Sequence, residues 1–332
     1  MIKNLQVLRA IAALLVAYYH FGFYNSKVGF FGVDIFFVIS GFIMSYVLYK
    51  NKDDFFMKRV IRIVPMYWIV TILISVLWLQ WPHLFHNVYV DGPSFTKSFL
   101  FIPYSKFTSG PILSSGWTLN CEMYFYLLLG FFLIFTRSVK KILLFTCLLL
   151  LAICLLQIMN YTKNYFLSFY GSSIMIEFIF GIALYWFYNN YREHFSQKSV
   201  LFLLGVISVL SFFAMVYSDL NKIEGYRLFF FGIPSFCITS FFVFSENTWR
   251  TDTKIYKWLY RLGNASYVIY LIHPFVMNIF LRLIHPLLKT ENLAITFTEL
   301  VLSMLFICLV SDFVHRKIEK PLLKKIEILL IK

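Results

Sequence analysis

The chain has 332 residues, of which 60% are hydrophobic, 21% aromatic and only 14% charged, with a formal net charge of +14 and a mean hydropathy of +0.74. A soluble domain carries about 45–50% apolar and about 25% charged residues, so this composition excludes that class and indicates a polytopic membrane protein. The basic residues are dispersed along the chain, which argues against nucleic acid as a partner; the five cysteines all lie in apolar stretches without CxxC or metal-ligand spacing and say nothing about redox or zinc, and no metal site is assigned.

Apolar stretches of spanning length fall at roughly 5–24, 30–49, 64–81, 117–135, 141–160, 168–188, 199–217, 226–245, 263–284 and 293–314. They predict an all-α fold, a transmembrane helix bundle of about ten spans forming one domain over residues 1–332. The first stretch follows a single Lys, as a signal peptide would. It is too long for one, lacks a small-x-small cleavage site and leads straight into another span, so a retained helix is expected. With the N-terminus inside, 21 Lys and Arg fall in cytoplasmic segments against 8 outside, Arg9 aside, which predicts both termini in the cytoplasm.

The first span, "LRAIAALLVAYYHFGF", holds Arg9 and His20. Eleven steps of about 100° set them within roughly 20° of one helix face, about 16 Å apart along the axis. An ionisable residue inside a span costs about 2.5–3.5 kcal/mol on insertion scales, so each one is a functional candidate. Arg9 also suits snorkelling to the cytoplasmic interface, and His20 a polar contact between helices.

The second span opens "GFFGVDIFFVISGF", setting Asp34 near the depth of His20. A carboxylate beside an imidazole fixes its tautomer, so Asp34 is the first candidate for orienting His20. Gly29, Gly32 and Gly41 allow close helix approach. Before the third span, "FFMKRVIRIVPMY" carries Lys58, Arg59 and Arg62, with Arg59 and Arg62 three apart on one face. That pair suits a phosphate-rich ligand and equally the positive-inside rule.

The longest connection, about 82–116 and external by this topology, is long enough to have work of its own, either meeting a partner or capping the bundle. The fourth span, "WTLNCEMYFY", places Glu122 in its external half, Tyr126 one turn on and Trp117 near the interface. Glu177 and His273 sit near the middle of their spans, His273 immediately before Pro274, which frees a carbonyl; either also serves as polar glue between helices. The tail, about 315–332, alternates basic and apolar residues like an amphipathic cytoplasmic segment lying on the membrane.

These motifs, in this order and spacing, resemble the acyltransferase-3 family of bacterial membrane acyltransferases that O-acylate cell-envelope carbohydrates. The likeness spans nearly the whole chain: Arg9 ten residues clear of His20, "FFGVDIFFVISGFI", "KRVIRIVPMYW", "FIP" then "WTLNCEMYFY", "LGNASYVIYLIHPF" and "IEKP". It implies an enzyme of the bacterial plasma membrane that moves an acyl group, usually acetyl, from cytoplasmic acyl-CoA to a hydroxyl of an extracytoplasmic or lipid-linked carbohydrate such as lipopolysaccharide. It also implies His20 as the essential histidine with Arg9 its motif partner, Arg59 and Arg62 in the basic motif, and Glu319 in the Glu-Lys-Pro motif.

The candidates are then His20, Arg9, Asp34 and Glu122 for catalysis, and Lys58, Arg59 and Arg62 for acyl-CoA. Trp117, Tyr126, His273 and Glu319 serve acceptor binding or structural support. Acyl-CoA is a co-substrate, and no bound cofactor is expected. Many relatives append an esterase-like domain and this chain shows none, so it is expected to act alone or with a separate glycan-assembly protein. The rival class is a polysaccharide or lipid-linked sugar exporter, which the lack of a visible inverted repeat disfavours.

Overall fold

A helix occupies each of the ten apolar stretches in the computed structural model, and no strand occurs among the described residues, which are 2–22, 28–82, 88, 90–103, 111–159, 164–221, 226–285 and 292–331. In chain order the helices are α1 (Lys3–Phe21), α2 (Phe31–Lys50), α3 (Phe55–Gln80), α4 (Gly92–Phe99), α5 (Gly116–Phe135), α6 (Val139–Ile158) and α7 (Tyr165–Tyr170). They continue as α8 (Ile176–Phe195), α9 (Lys198–Leu220), α10 (Ile233–Phe244), α11 (Lys254–Asn264), α12 (Ser266–Ile279), α13 (Leu293–Val314) and α14 (Lys320–Leu330). Single π-helical turns lead into α10 (Leu228–Gly232), extend α12 (Phe280–Ile284) and join α13 to α14 (His315–Glu319).

Among the described residues six helices are long and apolar enough to cross a membrane: α2, α3, α5, α6, α9 and the continuous α13–α14. The pair α11–α12, bent by 80°, makes up to seven. The other three predicted stretches are helical but fall short for chemical reasons. Helix α1 carries Asn4, Gln6, Arg9 and His20, α8 ends in "NNYREHF", and α10 has 12 residues after its π turn. Helix α9 presents bare hydrocarbon, with Phe202 75%, Leu210 62% and Phe213 60% exposed, a surface suited to lipid.

The chain divides into two compact units. In the first, Met1–Ile43 with Glu177–Ile318, α1 packs against α10, α11, α12 and α13. Small residues on α1 make this possible: Ala10, Ala13 and Ala17 are buried against Leu262, Ile269, Val276 and Ile307. The start of α1 is pinned by Asn4, whose Nδ2 donates to the Ser245 carbonyl (3.0 Å) and whose Oδ1 accepts from the Tyr256 hydroxyl (2.8 Å). Helices α2 and α8 meet backbone to backbone: a Cβ on Gly181 would lie 2.8 Å from the Gly41 Cα.

In the second unit, Met44–Ile176 with Glu319–Lys332, α3 packs against α5 and α14, α5 against α6, and α6 against α7. Part of the long connection is ordered as α4, capped by Asp91, whose carboxylate accepts from the Ser94 N–H at 2.7 Å. Ser94, through its hydroxyl and its N–H, holds the Asp91 carboxyl below the usual carboxylate range. Helix α4 folds onto α3: the Trp68 indole donates to the Phe99 carbonyl (3.1 Å) and stacks on the Phe99 ring. Residues 83–87, 89 and 104–110 of this connection lie outside the described residues. Helix α14 has no buried residue, and Ile328, Leu329 and Leu330 are exposed on it.

Candidate active site

His20 lies in the last turn of α1. Its Nδ1 faces the Val16 carbonyl one turn back (2.9 Å) and His273 Nε2 (3.2 Å), the two rings meeting edge to face at 4.8 Å. His273 is fully buried on α12, with its own Nδ1 against the Ile269 carbonyl at 3.1 Å. The Tyr270 carbonyl, which loses its helical N–H partner to Pro274, also reaches the His273 ring.

A carbonyl only accepts, so each Nδ1 is the protonated nitrogen. The His20 Nδ1–H is then shared between Val16 and the lone pair of His273 Nε2, which leaves the lone pair of His20 on Nε2. That arrangement can accept a proton or an acyl group at one defined atom. Arg9 is half-buried on the same helix.

Asp34 does not orient His20. Its Oδ2 accepts from Arg227 Nη2 at 2.6 Å, because a permanently charged guanidinium is a stronger partner for a carboxylate than a neutral imidazole. The Glu177 carboxyl adjoins that of Asp34, and both residues are fully buried. Arg227 also lies over the Phe30 ring, 4.6 Å from its centroid. Sequence reasoning missed Arg227 because it sits 193 residues from Asp34 and reads as one more loop charge.

In the second unit the Tyr126 hydroxyl donates to Glu122 Oε1, one turn back on α5. Arg59, three residues before Arg62 on α3, lies within electrostatic reach of Tyr126, Arg62 and Glu122, and its buried Nε has no hydrogen-bond partner among the described residues. The expected cytoplasmic phosphate pair is thus half-buried within its own unit, where α3 packs against α5. Lys58 turns the other way, to the Asp54 carboxylate (3.9 Å) and the Asp53 carbonyl (3.1 Å) near the surface. Trp117 is half-buried in the first turn of α5, and Glu319 is fully buried where the π turn enters α14.

The sequence profile described as "Acyltransferase domain" matches residues 2–316. The exopolysaccharide production protein ExoZ of Rhizobium meliloti (strain 1021) is 27% identical over 270 residues, 77% of this chain and 79% of the relative. The putative peptidoglycan O-acetyltransferase YrhL of Bacillus subtilis (strain 168) is 27% identical over 97% of this chain and 55% of the relative. The peptidoglycan O-acetyltransferase OatA of Listeria monocytogenes serovar 1/2a (strain ATCC BAA-679 / EGD-e) is 28% identical over 97% of this chain and 56% of the relative. The chain spans about half the length of these two O-acetyltransferases, and no solved structure matches it. With the profile running across nearly every helix and enclosing His20, the Asp34 cluster and the Glu122–Tyr126 pair, the chain belongs to the acyltransferase-3 family.

Proposed function

We propose that the chain is a multi-pass O-acyltransferase of the bacterial plasma membrane, with ten spans and both termini in the cytoplasm. It moves an acyl group, acetyl in the simplest case, from cytoplasmic acyl-CoA to a hydroxyl of an extracytoplasmic or lipid-linked carbohydrate. The observation that carries this reading is the family match over residues 2–316, and the relatives named for O-acetylation and exopolysaccharide production point to a glycan acceptor. None of these comparisons favours an exporter.

In this reading His20 Nε2 is the reacting atom. It takes the proton of the acceptor hydroxyl as the oxygen attacks the thioester carbonyl, or carries the acyl group as an acyl-imidazole before the hydroxyl takes it. In both routes the thiolate of CoA leaves and recovers one proton. His273 keeps the lone pair on Nε2 by holding the proton of His20 on Nδ1. Arg59 and Arg62 supply positive charge for the donor's phosphates, with Glu122 and Tyr126 holding Arg59 in place.

The test replaces His20 by Ala in the producing cell and follows O-acyl groups on the host glycan by mass spectrometry at matched protein level. Loss of the acyl group is expected; unchanged acylation would overturn the assignment. Purified protein in sealed vesicles should release free CoA as it acylates.

A further inference from the structure

The buried cluster of Asp34, Glu177 and Arg227 has no role in the transfer as described, and among the described residues it holds two carboxyls against one cation. Arg227 Nη2 binds Asp34 Oδ2 at 2.6 Å. Asp34 Oδ1, both Glu177 oxygens and Arg227 Nε have no hydrogen-bond partner among the described residues. Asp34 and Glu177 are both 0% exposed.

Asp34 stands in the first turn of α2 and Glu177 in the first turn of α8. Arg227 immediately precedes the π turn of α10, and Gly232 of that turn closes over Glu177, with a Cβ there lying 3.3 Å from Oε1. Among the described residues, the groups facing each carboxyl are the other carboxyl and the guanidinium of Arg227. If both carboxyls were ionised, the cluster would hold one uncompensated negative charge with two bare oxygens on Glu177, the arrangement that burial penalises most. Two adjoining carboxyls that share one proton remove that charge, and they supply the donor that neither has.

We propose that Glu177 and Asp34 form a proton-binding site, one proton held between two carboxyl groups while Arg227 balances the remaining negative charge. Arg227, 29% exposed, is the edge of the cluster from which the proton exchanges. The same edge leads toward His20: Arg227 lies on Phe30 (4.6 Å), Phe30 meets Tyr19 (5.2 Å), and Tyr19 meets His20 (5.0 Å). These ring contacts pack the cluster and His20 into one unit and carry no proton themselves, so any use of the site in transfer is through the charge it holds near the His20 end of α1. That use rests on the acyl-transfer reading, whereas the proton site does not.

The test is infrared spectroscopy of the purified full chain in lipid nanodiscs, in H2O and D2O, at neutral pH without sodium and again with it. A protonated-carboxyl stretch that shifts in D2O is expected in the unaltered chain. It should be lost in Glu177→Gln and in Asp34→Asn, and strengthened in Arg227→Met, where two carboxyls face each other with no cation. Absence of the band from the unaltered chain would overturn the proposal and needs no variant. So would a band that Glu177→Gln leaves unchanged, or one that sodium abolishes, which would make this a metal-cation site. A failed band with an intact His20→Ala effect removes the proton site alone, and the reverse removes the transfer reading alone.

Discussion

A neutral imidazole offers one N–H and one lone pair, and the backbone decides here which nitrogen has which. The Val16 and Ile269 carbonyls claim the two Nδ1 protons, so His273 Nε2 can only accept. His273→Phe keeps a planar ring but removes that acceptor, and the rate constant for transfer should fall about 10–100-fold, the usual cost of losing a partner that orients a reacting group. His273→Gln, which can present an acceptor, should restore part of the rate. Nitrogen NMR of labelled histidine in the purified chain should show His20 as the Nδ1–H tautomer, giving way to a mixture in His273→Phe; an unchanged tautomer would reduce His273 to packing. The Arg9–His20 pair was legible in the sequence because one helix carries both residues. The contacts of His20 and Asp34 were not: His273 is 253 residues from His20, and Arg227 is 193 from Asp34. A single sequence offers periodicity within a helix and nothing that links residues so far apart.

At the scale of elements, the α2–α8 crossing creates the carboxyl pair. Asp34 lies two turns before Gly41, and Glu177 one turn before Gly181, so each carboxyl shares a helix face with the glycine that lets the backbones touch. Gly181→Val must push α8 off α2, since its Cβ would meet the Phe42 nitrogen at 2.6 Å as well as Gly41. Overpacking of this kind costs about 1–3 kcal/mol. Thermal unfolding in detergent should occur at a lower temperature for Gly181→Val and be unaltered for Gly92→Ala, where a Cβ meets nothing within 4 Å. The sequence marked Gly29, Gly32 and Gly41 as close-approach positions, and Gly32 indeed lies against α1, a Cβ there meeting Val16 at 2.9 Å. The 80° bend between α11 and α12 was not legible. Beside the bend Gly263 fits against the Gln6 backbone of α1, a contact between residues so far apart in sequence that no local pattern announces it.

For the whole molecule the question is how many helices cross the bilayer, since length and apolarity select six or seven while the sequence suggests about ten. Helix direction supplies a further argument inside the first unit. The chain from Gly263, at the end of α11, into α12 runs the same way as α1, with Gln6 beside Gly263 and His20 beside His273. Helix α2 runs parallel to α8, Asp34 lying beside Glu177 and Phe42 beside Tyr185. Helix α9 is antiparallel to α10, where Gly205 meets Phe241 and the Ser208 hydroxyl donates to the Cys237 carbonyl at 3.2 Å. In a strictly alternating chain two spans are parallel only when an odd number of crossings separates them, and ten spans satisfy all three pairings. On the proposed ten-span topology α1, α8 and α10 cross the membrane with their polar residues facing protein, as buried Asn4, Gln6 and Glu177 do. Single cysteines at exposed positions, in a chain whose five native cysteines are replaced by alanine, test the count. A maleimide that cannot cross membranes, applied to spheroplasts, should label Thr96→Cys and Asn221→Cys at once, and Lys140→Cys and Lys257→Cys only after the cells are opened. Outside labelling of Lys257→Cys would break the alternation at α8 to α10 and reduce the number of spans.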